Sequence, residues 1–246
     1  MAIVFTAKEA NNDCGTSPAC AKGISHSSGQ KEPQILRHSE STNKALENLA
    51  ALPVFKHLSG QANYLLNFYA LCAFAFQKDG LGKLINYYKH LKLNYNDTAF
   101  AACMWNFRPQ FTSYPHLNAN NSLFTWCAIT AMGDYDPTHR GHLILWDFGL
   151  IICFPPGATI LIPSTLLIHS NTLIQPGETR YSFVQYSAGA LFHWVHNSFQ
   201  TAERWLANAT DAMLQDQKRE DGERVANSLK MFSTVEEIAN CCHCYA

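Results

Sequence analysis

The chain has 246 residues, of which 47% are hydrophobic and 15% charged, so we expect one large domain, or one domain with extensions, around a sizeable buried core. Its formal net charge is −1 and it has no long block of like charges, so any nucleic-acid contact must come from a local patch rather than a general attraction for phosphate. No segment approaches the length of an uninterrupted apolar membrane span, and the first residues lack the basic lead of a secretory signal. We therefore expect no membrane association and an intracellular location, nuclear or cytoplasmic.

The nine cysteines give no sign of a secreted disulfide framework, which also favours a reducing compartment. They fall into a polar leader pair (Cys14 and Cys20), four single residues in apolar surroundings (Cys72, Cys103, Cys127 and Cys153) and a terminal group (Cys241, Cys242 and Cys244). Buried free thiols are the expectation for the four single residues. The terminal group surrounds His243, but structural zinc ligands usually come as spaced pairs, so a frayed tail over residues 237–246 is favoured over a zinc site.

The first 41 residues are rich in Ser, Asn, Lys and Gly and poor in large apolar groups, which predicts a disordered leader. From Thr42 onwards, apolar residues recur at helical spacing in NKALENLAAL, and the pattern continues after Gly60 and after Gly80. These patterns predict two or three helices at the start of a single domain over residues 42–236.

After Asn96 the hydrophobic period shortens to that of strands. The strand-like runs are AFAACMWNF, WCAITAMG, HLILWDFGLIICF, ATILIPS, TLLIHS and RYSFVQYS, and Gly- and Pro-containing turns separate them. Six or seven strands in this interval predict a closed or sandwiched antiparallel sheet over about residues 97–196. Helical character returns at 203–232, so the predicted fold class is α+β with a C-terminal helical segment.

Four residues in the strand region have the spacing of a metal and anion site. Arg180 follows His169 by eleven residues, Ser182 follows Arg180 at i+2, and His116 lies 53 residues before His169. Residues at i and i+2 of a strand share a face, so Arg180 and Ser182 point the same way, as do His116 and Asn118.

Two histidines from separate strands and an arginine deep in a barrel are what a mononuclear iron, 2-oxoglutarate-dependent oxygenase needs. The arginine would hold a carboxylate through paired hydrogen bonds. Each residue also has a simpler interpretation. A lone histidine at a strand end is usually a surface or hydrogen-bonded core residue, and Arg180, after a Pro-Gly turn, is compatible with a sheet-edge charge.

The region from FAACMWNFRPQ to YSAGALFHWV resembles the 2-oxoglutarate/Fe(II) dioxygenase-like proteins of mushroom-forming fungi, which are related to the TET and base-J-binding (JBP) oxygenases. The matching segments are PHLNANN, WCAITAMGDYDP, RGHLILWDFGLIICFPPGATILIPS, LLIHSN and QPGETRYSFVQYSAG. The resemblance implies a double-stranded β-helix (jelly roll) core with N-terminal helices packed on it. It implies Fe(II) held by His116 and His169 and 2-oxoglutarate held by Arg180, with Ser182 adding a hydroxyl. It also implies nucleic acid as a partner, with a methylated base taken out of the stack and oxidised.

Asn118 departs from the family pattern, which has aspartate at this position. An amide oxygen brings no negative charge to the metal, so affinity should fall. Asp134, Asp136 and Asp147 are the candidate acids for replacing it through the fold, and LILWDFG favours a turn or strand edge for Asp147. The alternatives are an active dioxygenase, an inactive relative that binds cosubstrate or nucleic acid, and a cupin-like binding module without redox chemistry.

Substrate recognition is only weakly encoded in the sequence. The candidates for contact with a base or phosphate flank the first histidine and are Asn106, Arg108, Tyr114 and Asn120. Trp126, Trp146 and Trp194 are either a stacking platform or core residues, and His142, which opens a strand, is a weaker site candidate. A basic surface around the mouth of the barrel would favour nucleic acid over a small molecule. The sequence predicts no oligomeric state.

Overall fold

The computed structural model describes residue 5 and residues 18–27, 29–123 and 125–243. In chain order its strands are β1 (Ala19–Ser25), β2 (Gln34–Ile35), β3 (Ala102–Asn106), β4 (Cys127–Asp134), β5 (Leu143–Leu145), β6 (Leu150–Ile152), β7 (Thr159–Ile162), β8 (His169–Asn171) and β9 (Thr179–Tyr186). Its helices are α1 (Glu40–Ala51), α2 (Pro53–Tyr69), α3 (Leu71–Tyr87), α4 (Gly189–His196), α5 (Ala202–Asn208), α6 (Asp211–Leu229) and α7 (Val235–His243). The predicted mixture of helices with antiparallel sheets is confirmed.

The larger sheet has six strands in the order β2-β1-β3-β9-β4-β7, and all of its neighbours pair antiparallel. Strand β9 lies near the centre, with Ser182 opposite Asn106 of β3 and Ala131 of β4. Because side chains alternate along a strand, β9 turns Arg180 and Ser182 to one face and Phe183 to the other.

Helices cover the Phe183 face of the larger sheet. Phe183 packs with Trp105 of β3 and with Leu46 and Phe55 of the first two helices. Leu81 and Leu84 of α3 form a second cluster with Trp194 of α4. The opposite face of the sheet is left to line an interior space.

A smaller antiparallel sheet, in the order β6-β5-β8, stands across that space. Leu143 and Leu145 of β5 pack against Ala131 of the larger sheet. The segment between β3 and β4 runs between the two sheets, because Gln110 bridges to Arg180 and His116 bridges to His169. Two facing sheets therefore surround a cavity that the connecting segment partly closes.

The expected disorder of residues 1–41 is wrong for the part that the structure describes. Strand β1 pairs along its length with β3, and its Cys20 and Ile24 are each 1% exposed. The segment ACAKGIS forms a strand with few large apolar side chains, because β1 lies between β2 and β3 and its backbone hydrogen bonds to both. Residues 1–4 and 6–17, including Cys14, lie outside the described residues.

The helix boundaries differ from the predicted breaks at glycine. Helix α2 begins at Pro53, a residue suited to a first helical turn, and runs through Gly60, whereas the chain breaks at Ala70. Helix α3 runs through Gly80, where a Cβ would overlap the ring of Phe192. Gly80 is therefore a packing contact with α4 and not a helix end.

The later elements also correct parts of the prediction. The run HLILWDFGLIICF is two strands joined by a 3₁₀ turn (Trp146–Phe148), because Gly149 takes a left-handed conformation. Helix α4 lies inside the interval predicted as barrel, and the expected tail is helical as far as His243; the side chains of Cys241 and Cys242 and all of Cys244 lie outside the description.

Of the four single cysteines, Cys103 and Cys127 are buried as predicted, whereas Cys72 and Cys153 are exposed. No helix among the described residues is long and apolar enough to cross a membrane.

Candidate metal and anion site

The two sheets enclose a cavity of about 60 Å³. All five residues singled out by spacing line it, and the full set is Met104, Asn106, Phe111, Ser113, His116, Asn118, Ile129, Leu143, His169, Asn171, Arg180, Ser182 and Val184. The i and i+2 reasoning is thus correct for Arg180 with Ser182 and for His116 with Asn118. The fold brings these positions together from three separate segments of the chain.

His116 and His169 lie directly opposite each other in an antiparallel bridge. Each backbone N–H donates to the other's carbonyl oxygen at 3.1 Å, and the ring centroids are 4.3 Å apart. Nδ1 of His116 donates to the carbonyl of Tyr114 at 2.7 Å, and Nδ1 of His169 to that of Leu167 at 2.9 Å. A carbonyl oxygen can only accept, so Nδ1 carries the proton in both rings and the lone pair is on Nε2.

Burial keeps His169 neutral. The ring is 4% exposed, and loss of solvation lowers its pKa to about 4; the bond to Leu167 opposes this shift and the neighbouring His116 adds to it. A neutral imidazole whose second nitrogen is fixed by a backbone carbonyl is the form in which histidine binds metals. The histidine pair therefore presents the Nε2 side of both rings within one cavity.

Asn118 lies at the third expected ligand position and is half-buried in the cavity wall. Its backbone is well fixed, since its N–H donates to Ser164 at 2.9 Å and its carbonyl accepts from Asn121 at 2.9 Å. A side chain here shares the cavity with both imidazoles. The amide supplies an oxygen without charge, so the donor set is two imidazoles and an amide.

The acids considered as substitutes for aspartate do not line the cavity. Asp147 is exposed in the 3₁₀ turn, as predicted, and its carboxylate accepts the N–H of Ile168 at 2.6 Å. Asp136 accepts from Thr138 and His139, and these hydrogen bonds lower its pKa to about 2. Across the described residues, no group of three or more His, Cys, Asp or Glu side chains is placed to hold a metal.

Arg180 lies at the closed end of the cavity and is 2% exposed. Its position on a central strand excludes the sheet-edge interpretation. The guanidinium donates one long bond of 3.5 Å to the carbonyl of Phe111 and lies 5.9 Å from the centre of the Phe111 ring. Burial lowers its pKa, which the adjacent Tyr135 hydroxyl opposes.

The Arg180 side chain has unused hydrogen-bonding capacity. Within the described part of the chain no carboxylate forms an ion pair with Arg180, and its Nε has no hydrogen-bond partner. The charge of this buried cation is therefore not neutralised by a carboxylate within the described residues.

The register of β9 makes the Arg180 position depend on a glycine. Gly133 lies opposite Arg180 with φ +120°, and a Cβ there would overlap the carbonyl oxygen of Thr179. Only glycine allows the two strands to approach closely at this point.

Ser182 lies beside Arg180 and is held by Asn106, whose amide donates to the serine hydroxyl oxygen at 2.7 Å. The Oδ1 atom of Asn106 is buried without a hydrogen-bond partner in the described structure. Asn106 therefore positions the Ser182 hydroxyl in the cavity wall, a contact that needs the β3–β9 register and that local spacing in the sequence does not reveal.

Asn171 is a further cavity residue that the spacing argument missed. It follows His169 at i+2, so the strand rule used for the other pairs predicts its direction. Its Oδ1 accepts from the N–H and hydroxyl of Ser113 at 2.9 and 2.8 Å, and its Nδ2 donates to Phe111 at 3.2 Å. These bonds fix the segment that carries His116.

Of the weaker candidates, Asn106 lines the cavity, whereas the others lie outside its wall. His142 is bound through its backbone to Thr172, and Arg108, Tyr114 and Asn120 are exposed. The three tryptophans separate into two environments. Trp126 and Trp194 pack in the core, whereas Trp146 is exposed and donates to Ser170 at 3.0 Å.

No protein-family model matches the chain, and no curated protein does. Among solved structures, the chain is similar to NgTET1 in complex with 5mC DNA, with a TM-score of 0.48 and 17% identity over 69% of this chain and 60% of that one. It is also similar to an oxidoreductase of the 2OG-Fe(II) oxygenase family from Burkholderia pseudomallei, with a TM-score of 0.35 and 14% identity over 72% of this chain and 71% of that one.

Proposed function

We propose that this chain is a 2-oxoglutarate/Fe(II) dioxygenase-like protein with a jelly-roll core. The single observation that carries the proposal is the buried guanidinium of Arg180, which has no carboxylate partner in the described structure and faces a cavity shared with a histidine pair. A dicarboxylate would suit these lining residues, because the guanidinium and Ser182 would bind one end and the other end would extend towards the imidazoles.

The residues present fit a divalent transition metal, though with a weaker donor set than the family pattern. His116 and His169 would hold the ion through Nε2, and Asn118 would offer its amide oxygen. A bound Fe(II) would supply the oxygen and cosubstrate chemistry of the reaction. The chain itself fixes the tautomer of both imidazoles, keeps His169 neutral, and shields the cosubstrate end from water.

The second candidate is a member of the same fold that binds its ligand without turnover. Asn118 favours it, because a neutral amide offsets none of the metal's charge and no acid lines the cavity in the described residues. In that case Arg180 would still bind a carboxylate ligand, and the metal would be weak or absent.

Succinate release from 2-oxoglutarate with added Fe(II) separates the two candidates. We expect turnover to be low in the native protein and to rise in Asn118→Asp, because aspartate restores the missing charge. Binding of 2-oxoglutarate, measured by calorimetry, should be lost in Arg180→Met in either case. Retained binding in Arg180→Met, with the protein folded, would contradict the proposal.

A further inference from the structure

The cavity opens on the side of its histidine pair. Of the lining residues, His116 and Asn118 are half-buried, whereas Arg180 and Ser182 are no more than 2% exposed. Met104, Ile129 and Val184 are also half-buried lining residues and are uncharged, so a substrate that approaches beside His116 and Asn118 meets uncharged side chains of the cavity wall.

The segments that build this mouth carry almost no charge. Residues 109–133 contain no Lys, Arg, Asp or Glu, and residues 141–177 contain only Asp147. The Asp147 carboxylate already accepts the N–H of Ile168. The two segments together supply His116, Asn118 and His169.

The nearby arginines lie towards the other end of the cavity. Arg108 precedes Pro109, whose carbonyl accepts the backbone N–H of Arg180. Arg140 precedes β5, whose first residue lies opposite Asn171 while its last lies opposite His169. Each arginine therefore precedes its segment on the side nearer Arg180 or Asn171, and the chain reaches His116 or the partner of His169 only several residues later.

Two exposed apolar side chains lie beside the histidines instead, and we call them the apolar rim: Tyr114 and Leu150. Tyr114 is 60% exposed, and its carbonyl holds Nδ1 of His116. Leu150 is 50% exposed and shares a sheet face with His169, since both lie opposite Leu145 on neighbouring strands. Large apolar groups exposed together usually mark a binding site.

We propose that the substrate of this site is a small, uncharged, largely apolar molecule, not a polynucleotide. This inference rests on the proposed function, because it concerns the second substrate of the same cavity. Nucleic-acid binding depends on Lys and Arg side chains that neutralise phosphates, and an uncharged mouth cannot supply them. An apolar molecule gains free energy by covering the rim and needs no counter-charge.

Binding of N-phenyl-1-naphthylamine tests the proposal, since this uncharged aromatic becomes fluorescent in an apolar site. We expect the full-length protein, loaded with Fe(II) and 2-oxoglutarate, to bind it. Leu150→Asp should weaken binding at least tenfold, and Tyr114→Asp, across the mouth, should do the same. Leu206→Asp is the matched control: Leu206 is 53% exposed on α5, so its variant should bind as the native protein does. Thermal unfolding checks that each variant is folded.

A short fluorescein-labelled duplex containing 5-methylcytosine, followed by anisotropy, tests the alternative. We expect no displacement of the naphthylamine by the duplex and no response of duplex binding to Leu150→Asp. Displacement, or duplex binding that is steeply salt-dependent and weakened by both rim variants, would overturn the inference in favour of nucleic acid. Equal naphthylamine affinity in the rim variants and the control would also overturn it. Calorimetry with 2-oxoglutarate tests the proposed function separately. If 2-oxoglutarate does not bind, the proposed function fails; if it binds but the naphthylamine does not, only the inference about the substrate fails.

Discussion

Replacement of Arg180 by methionine should stabilise the ligand-free protein while removing its ligand. Arg180 is 2% exposed, donates a long hydrogen bond to Phe111 and contacts the Tyr135 hydroxyl, yet its Nε has no partner in the described structure. An unsatisfied buried polar group costs about 1–3 kcal/mol, and replacing buried charges by apolar groups of similar size is often neutral or stabilising. Methionine keeps most of the length of the side chain and removes the cation.

We expect the free energy of unfolding of Arg180→Met to rise by about 2 kcal/mol, which for a chain of this size raises Tm by roughly 4–8 °C. The assay is thermal and urea unfolding with and without 2-oxoglutarate. At a ligand concentration of about 100 times Kd, the native protein should gain about 2.7 kcal/mol and the variant nothing. Arg204→Met, at an exposed position on α5, is the control and should change stability by less than about 0.5 kcal/mol.

The opposite result would refute this reasoning. Suppose that the free energy of unfolding of ligand-free Arg180→Met fell by about 2 kcal/mol or more. The contacts of Arg180 with Phe111 and Tyr135 would then stabilise the fold. Arg180 would then be a structural residue, and the anion site would lose its main support. A stabilised variant that still gains stability from 2-oxoglutarate would place the ligand elsewhere.

Three further predictions concern Asn118 at the expected metal position, His169 beside it, and Gly133 on the strand next to Arg180. Asn118→Asp should raise Fe(II) affinity roughly 10- to 100-fold, measured by anaerobic metal titration, and an unchanged affinity would exclude residue 118 as a ligand. The unfolded state binds a proton at His169 more readily, since the folded pKa is about 4 against an ordinary value near 6.5. Lowering the pH from about 6.5 to about 4 should therefore lower the free energy of unfolding by about 3 kcal/mol. Urea unfolding should show this loss in the native protein and not in His169→Asn. Gly133→Ala should cost about 2 kcal/mol or more, against about 1 kcal/mol for Gly177→Ala, whose φ is also positive but whose surroundings are open; equal losses would show that the close approach to Thr179 is unimportant.

The sequence predicts which side chains share a strand face better than it predicts how the strands pair. Strand alternation needs only local spacing, so it correctly orients Arg180 with Ser182 and His116 with Asn118. It does not report which strands are neighbours. The role of Asn106 depends on its pairing with Ser182, 76 residues away, and no local pattern contains that register.

The errors at β1 and Gly80 have a common physical cause. Residues 19–25 have weak propensity of their own, but pairing with β3 satisfies their backbone groups and buries Cys20 and Ile24. The local sequence at Gly80 predicts a helix end, whereas glycine is needed there because the ring of Phe192 occupies the space of a side chain. In both cases a distant part of the chain decides the outcome, and tertiary contacts override local preference.

Charge balance connects the anion end of the cavity with its metal end. Arg180 contributes one fixed positive charge, His169 is neutral, and no acid lines the cavity in the described residues. Binding of a dication alone adds charge to a site that is already positive, because Asn118 offsets none of it. A dicarboxylate removes that penalty, so ion and ligand should strengthen each other's binding, and by linkage the effect is reciprocal. Asn118→Asp supplies a permanent negative charge in place of the ligand, and the coupling between metal and 2-oxoglutarate should therefore be weaker in that variant than in the native protein.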